Sequence, residues 1–290
     1  MSIQQLLPLG LAFIMLAVGI GLRISDFKQV ALHPKALFVG LGNQIILLPL
    51  IGFGLASFYN GPSTFAFGIM ILAACPGGIT SNLLSVLAGG NAALSVSMTA
   101  VTSLASIITV PVILGLAHFL LFGSDTEIYM PVGQVMAGIF LITGLPISIG
   151  MVLNAKLPNF CTRHQPKIRA AATLIFALIV AGAFINNKDN IAHHFFDIGL
   201  FMVLLNICTM TLGFLSARAC RSQRADCTTI SLECGLQNVA LAIFIAVNVM
   251  GDPNLMIPAI IYALVMNFSA AGLIWIIRRT FPVKAATSCK

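Results

Sequence analysis

Nine apolar blocks follow one another along this chain, each long enough to cross a bilayer, and this succession constrains the fold more than any other feature. They run from about Gln5 to Leu22, Ala36 to Phe58, Phe65 to Ala88, Asn91 to Leu121, Pro131 to Leu153, Ile168 to Ile185, Phe196 to Leu215, Cys227 to Val249 and Ile257 to Ile277. A helical span of lipid hydrocarbon needs about 20 such residues, so 290 residues leave no room for a sizeable soluble domain. Only 8% of the residues are charged, against roughly 25% in soluble domains. The alternating ten-residue segments of a membrane barrel are absent. The expected fold class is an all-α membrane protein with nine transmembrane helices. The first block has no basic leader and no small-residue cleavage site, so it reads as a retained span rather than a signal peptide.

The loops set the orientation. Arg23, Lys28 and Lys35 follow block one; Lys156, Arg163, Lys167 and Arg169 follow block five; Arg218, Arg221 and Arg224 follow block seven; Arg278, Arg279, Lys284 and Lys290 follow block nine. Of the 15 basic residues only Lys188 falls on the other side, where Asp125, Glu127, Asp189 and Asp252 lie. This asymmetry places the N-terminus outside and the C-terminus in the cytoplasm, as for a bacterial inner-membrane protein. The net charge of +7 is thus a topology signal and not a nucleic-acid footprint. Seven cysteines, none in an outside loop, make no disulfide framework. His193 and His194, adjacent in an outside loop, read as solvated residues rather than metal ligands.

Polar groups in hydrocarbon are costly, so their clustering is informative. Glu233 alone of the 8 acids lies well inside a span. Around it, Glu233-Cys234-Gly235-Leu236-Gln237-Asn238 sets a glycine among polar residues; in span three, Cys75-Pro76-Gly77-Gly78-Ile79-Thr80-Ser81-Asn82 removes a backbone donor and weakens the helix. Both spans should be broken there, which membranes tolerate where the break lines a cavity. Counted from the cytoplasmic ends, Ser81, Asn82, Ser95, Thr99, Gln44, Glu233 and Gln237 all fall roughly 6 to 15 Å deep, with Ser95 and Thr99 on one helix face. A layer of hydroxyl, amide and carboxylate oxygens, with one negative charge and no Lys or Arg, suits a desolvated monovalent cation such as sodium. Two broken helices of opposite direction also imply an inverted repeat, spans one to four against six to nine with span five as connector.

At these residues, and at Gly90, Asn91, Ala93, Leu94 and Ser95, the chain resembles the bile acid:sodium symporter family, including its bacterial members. The resemblance implies a panel, about 1–35 and 131–195, and a core, about 36–130 and 196–280, with two broken helices crossing in the core and a cytoplasmic tail at 281–290. It implies two sodium ions as coupling partners. The first site would use Ser81, Asn82, Ser95, Thr99 and Glu233; the second Gln44, Glu233, Gln237 and main-chain oxygens at Cys234 and Leu236. Several bacterial members have ten spans, and by this resemblance the one expected to be missing here is the first.

The expected function is a sodium-coupled symporter importing organic anions, bile acid-like or a small hydroxy acid such as pantoate, by alternating access. No basic residue lies deep in a span, so the anion is expected to meet half-helix N-termini and amides, with Asn238, Thr80 and Asn267 beside the cavity and Ile79 where some relatives carry a hydroxyl. The rivals are an exporter of the arsenite permease type using Cys75 and Glu233, and a non-transporting membrane sensor. An enzyme is not expected: Ser81 and His118 would have to form a dyad from near opposite faces of the membrane.

Overall fold

The computed structural model describes residues 3–23, 34–123 and 130–280, so the readings made on Lys28, Asp125, Glu127, Lys284, Cys289 and Lys290 lie outside the described residues. The described chain is helical, without a strand. In order the helices are α1 (Ile3–Gly21), α2 (Pro34–Phe58), α3 (Ser63–Ala74), α4 (Ile79–Leu87), α5 (Ala92–Phe122), α6 (Val132–Lys156), α7 (Pro158–Asn186), α8 (Lys188–Ala219), α9 (Arg224–Gly235), α10 (Val239–Val249) and, after a 3₁₀ turn at Pro253–Met256, α11 (Ile257–Thr280).

Six segments, among them α2, α5, α6, α7 and α8, are long and apolar enough to cross a membrane; Leu6–Gly21, Ser63–Ala74 and Val239–Val249 are apolar but shorter. The difference from nine equal blocks has a physical cause in two of the three. Pro76, Gly77 and Gly78 end α3 and start α4 anew, and the chain between α9 and α10 is extended at Leu236. Large side chains such as Phe58, Phe196 and Phe268 stand exposed, a surface that lipid and not water would cover.

Two expectations about loops are corrected. Only Leu157 separates α6 from α7, because Pro158 supplies a preformed first turn. Arg163, Lys167 and Arg169 are therefore helical residues of α7 rather than loop residues. His193 and His194 likewise lie inside α8, which starts at Lys188 with Asp189 complementing its first turn. His194 Nδ1 lies 3.7 Å from Asp197 Oδ2, one turn on. The expected panel–core boundary at 195/196 falls within this continuous helix.

Packing divides the helices into two groups. α1 packs chiefly against α6 and α7. A Cβ on Gly150 would lie 2.6 Å from both the Leu16 carbonyl oxygen and the Ile20 nitrogen, so glycine is what lets α6 meet the α1 backbone. The second group centres on α9, which packs on α8, α4 and α5, while α8 also holds α11, and α2 holds α3. Clefts lie between the groups at both ends. One, of about 210 Å³, is lined by Leu7, Ile179, Ala183, Asn186, Ile243 and Val247. At the opposite end of α1 and α7 lie a crevice of about 20 Å³ and, between α4 and α7, a groove of about 710 Å³, both reached by Arg169.

Besides the π turn that closes α10 at Ile245–Val249, two spans carry a widened π turn within the helix, at Asn43–Leu47 in α2 and Phe140–Gly144 in α6. Each ends two residues before a proline, Pro49 and Pro146. Proline has no N–H and its ring crowds the carbonyl four residues back, so the helix widens ahead of it. In α2 that widened turn carries Gln44.

Candidate functional site

The breaks between α3 and α4 and between α9 and α10 meet. Gly78 N–H donates to the Leu236 carbonyl and Asn238 N–H to the Pro76 carbonyl, both at 2.9 Å, as an antiparallel bridge of Gly77 with Gln237. These bonds satisfy backbone groups that the broken helices leave open, which buried chain requires. A Cβ on Gly77 would lie 2.8 Å from Glu233 Oε2, and one on Gly78 would lie 3.0 Å from the Gln237 carbonyl oxygen. Both glycines are there for close approach.

Glu233 projects from α9 into this crossing and is 1% exposed. The Ser95 hydroxyl donates to its Oε1, and the Thr99 hydroxyl lies 2.9 Å from its Oε2. Asn82 Oδ1 lies 2.8 Å from the same Ser95 hydroxyl and 3.4 Å from that of Thr99. The Ser81 hydroxyl donates to the Gly78 carbonyl at 2.7 Å. Counting hydrogens shows what this arrangement lacks. Each hydroxyl has one proton, so those of Ser95 and Thr99 serve either Glu233 or Asn82 Oδ1, two protons among three side-chain oxygens. An oxygen cluster with fewer protons than acceptors could hold a cation.

α5 brings its hydroxyls here because its start is pinned. The Asn91 side chain caps α5 by accepting from Leu94 N–H at 3.1 Å, and its amide donates to Asp226 of α9 at 2.8 Å. Asn91 N–H also donates to the Thr229 hydroxyl at 2.8 Å. The two bonds to α9 fix the register of α5 and α9, setting Ser95 and Thr99 opposite Glu233.

Gln44 and Gln237 form the second part. The Gln44 amide donates to Gln237 Oε1 at 2.9 Å and to the Cys75 carbonyl at 3.3 Å, while the Gln237 amide donates to the Cys234 carbonyl at 2.7 Å. Gln44 Oε1 is buried with no hydrogen-bond partner among the described residues. A buried acceptor left unmet costs roughly 1–3 kcal/mol, and a cation bound beside it removes that cost. The carbonyls of Cys234 and Leu236 each accept one bond here, from Gln237 and Gly78, and keep a second lone pair. Among the described residues no three His, Cys, Asp or Glu side chains gather, so the donor set is one of hard oxygens and not that of a transition metal.

Of the residues expected beside the substrate, Asn238 is buried and its side chain caps α10, accepting from Leu241 N–H at 3.1 Å. Ile79 lines the 20 Å³ crevice with Asn82. Thr80 is half-buried. Asn267 is not brought to the oxygen layer: it is exposed, and its amide donates to the Ala263 carbonyl of its own helix at 2.6 Å. Its depth along α11 suits the layer, but its helix face does not.

Three residues escaped the sequence reading. Arg169 lines the crevice with Ile79 and Asn82, and its Nη2 lies 3.9 Å from where a Cβ on Gly21 would be. The sequence reading counts it with the basic residues that follow block five, at the very edge of the span, whereas the helix starts at Pro158 and carries it three turns in. Asn206 of α8 and Tyr262 of α11 both donate to the Gly235 carbonyl, each at 2.9 Å, and so satisfy the open end of α9. A lone Asn in a span was the available sign.

Comparison with known proteins points the same way. The profile of the Sodium Bile acid symporter family matches residues 8–194, a stretch that includes Ser81, Asn82, Ser95 and Thr99. The probable sodium/metabolite cotransporter BASS1, chloroplastic, of Arabidopsis thaliana is 30% identical over 94% of this chain and 67% of its own length. The uncharacterized sodium-dependent transporter YocS of Bacillus subtilis (strain 168) is 26% identical over 93% of this chain and 82% of its own. The P3 protein of Homo sapiens is 27% identical over 78% of this chain and 47% of its own.

Proposed function

The chain belongs to the sodium bile acid symporter family, and we propose that it couples the inward movement of sodium to import of an organic anion by alternating access. The observation that carries the proposal is the proton-poor oxygen cluster at the helix crossing. Ser81, Asn82, Ser95, Thr99 and Glu233 hold one sodium ion; Gln44, Glu233, Gln237 and the carbonyls of Cys234 and Leu236 hold a second. The unmet Gln44 Oε1 supports the second site.

Sodium binding does two things for the chain. It compensates the buried Glu233 carboxylate, and it ties α4, α5 and α9 together at the crossing whose neighbour, the α10 N-terminus, presents dipole and amide groups to an anion. The panel is α1, α6 and α7, and the core is the remainder, nine crossings in all with two of them broken. The N-terminus faces outside, with the Arg169 end cytoplasmic in a bacterial inner membrane. Two sodium ions with one monovalent anion move a net charge of +1, worth about 2.3 kcal/mol per 100 mV, so uptake is electrogenic.

The exporter reading requires the Cys75 thiol at the site, whereas Cys75 enters this cluster through its carbonyl. The test is uptake into proteoliposomes, with taurocholate and pantoate as probes, under an inward sodium gradient. Uptake that needs sodium supports the proposal; undiminished uptake by Glu233→Ala with sodium absent overturns it.

A further inference from the structure

Two spaces between the helix groups meet at one side chain. Arg169 lines both the crevice of about 20 Å³, walled by α1 and α4, and the groove of about 710 Å³ between α4 and α7. No Asp or Glu lines either space. Among the described residues no acceptor meets its guanidinium, and the Thr173 hydroxyl donates to its backbone carbonyl at 3.0 Å. A guanidinium is a planar fork of donors that matches a carboxylate with two parallel bonds.

Its neighbours are donors as well. A Cβ on Gly21 of α1 would lie 3.1 Å from Gln165 Nε2 and 3.9 Å from Arg169 Nη2. The two side chains, one turn apart on α7, therefore converge over a glycine whose missing side chain leaves the space open. Asn82 lines the same crevice. Its Oδ1 lies toward the Ser95 and Thr99 hydroxyls, at 2.8 and 3.4 Å, which leaves its amide nitrogen for the crevice.

We infer that this junction receives the carboxylate of the transported anion, bidentate on Arg169, with the amides of Gln165 and Asn82 donating beside it. The apolar body of the anion lies along the groove, against Leu83, Ala170, Leu174 and Ala177. The inference rests on the import reading and names the group that takes the cargo at the cytoplasmic end. Asn82 then touches both partners of the cycle: a cation on its Oδ1 polarises the amide and strengthens its donation to the anion.

The test uses the full chain in phosphatidylcholine vesicles and reads initial rates of sodium-driven uptake of labelled pantoate, with the primary amide of pantoate as a neutral competitor. Arg169→Gln should raise the pantoate KM roughly tenfold and leave inhibition by the amide and the sodium midpoint unchanged. Arg169→Lys, which keeps the charge and loses the fork, should recover part of the affinity. A purely structural role would move pantoate and its amide together. Vesicles that also contain phosphatidylglycerol separate the cargo from a lipid phosphate, because the KM ratio between wild type and Arg169→Gln should be the same in both. An unchanged KM in Arg169→Gln, an equal loss toward the amide, or a KM ratio that depends on phosphatidylglycerol overturns the inference and leaves import standing. No sodium-driven uptake of pantoate or taurocholate by the wild type overturns the import reading, and this inference with it.

Discussion

Thr99→Val removes one hydroxyl from the oxygen cluster while keeping the shape of the side chain. In the structure that hydroxyl lies 2.9 Å from Glu233 Oε2, 3.1 Å from the Ser95 carbonyl and 3.4 Å from Asn82 Oδ1. In the proposed site it is a donor to the carboxylate when sodium is absent and an oxygen ligand when sodium is bound. A hydrogen bond or ligand contact to a charged group contributes roughly 1.5–3 kcal/mol. Taking about 2 kcal/mol, the sodium Kd rises about thirtyfold.

The measurement is sodium-dependent thermal stabilisation of the purified chain, with choline chloride holding ionic strength constant. At a sodium concentration about 100 times the wild-type Kd, bound sodium stabilises by about 2.7 kcal/mol. With a thirtyfold weaker site the same concentration is about three times Kd, and the stabilisation falls to about 0.9 kcal/mol. The control lies on the same helix. Thr102 bonds only to backbone, at 2.8 Å to the Met98 carbonyl and 3.3 Å to that of Thr99, so Thr102→Val should leave the sodium Kd unchanged. Equal sodium curves for the two variants, or a wild-type curve for Thr99→Val, would refute the assignment of Thr99 to the site.

Gln44→Leu removes the unmet oxygen and both amide bonds of the second part; the sodium dependence of uptake should fall from a Hill coefficient near two to near one, read from initial rates at varied sodium. Glu233→Gln keeps the size of the side chain and removes its charge, so sodium-driven uptake should be lost while the chain still purifies as a monodisperse species by size-exclusion chromatography. Arg169→Gln, altering the crevice beside Asn82 and Ile79, should raise the KM for anionic probes roughly tenfold, the weight of one charged hydrogen bond, without moving the sodium midpoint. Gly77→Ala forces a Cβ to within 2.8 Å of Glu233 Oε2; overpacking of this kind costs about 1–3 kcal/mol, visible as a lower melting temperature and a weakened sodium response.

Depth was legible in the sequence and direction was not. Helical rise is fixed, so counting residues from a span end was enough to put Ser81, Asn82, Ser95, Thr99 and Glu233 in one layer, and the structure brings their oxygens together. The proline and glycines of span three announced a break because they act locally, on their own backbone. What a side chain faces depends on neighbours far along the chain. Asn267 has the depth of a site residue and the wrong face, whereas Asn206, unmarked by any motif, reaches across to the Gly235 carbonyl. Arg169 shows a second limit. Hydropathy finds the apolar part of a helix and not where the helix begins, so a charge in the first turns of α7 reads as a loop residue although the helix carries it beside Asn82. The helix ends therefore decide how much of a membrane site is charged, and a guanidinium three turns into α7 can face an anion that the spans, read by composition alone, were expected to meet with dipoles and amides only.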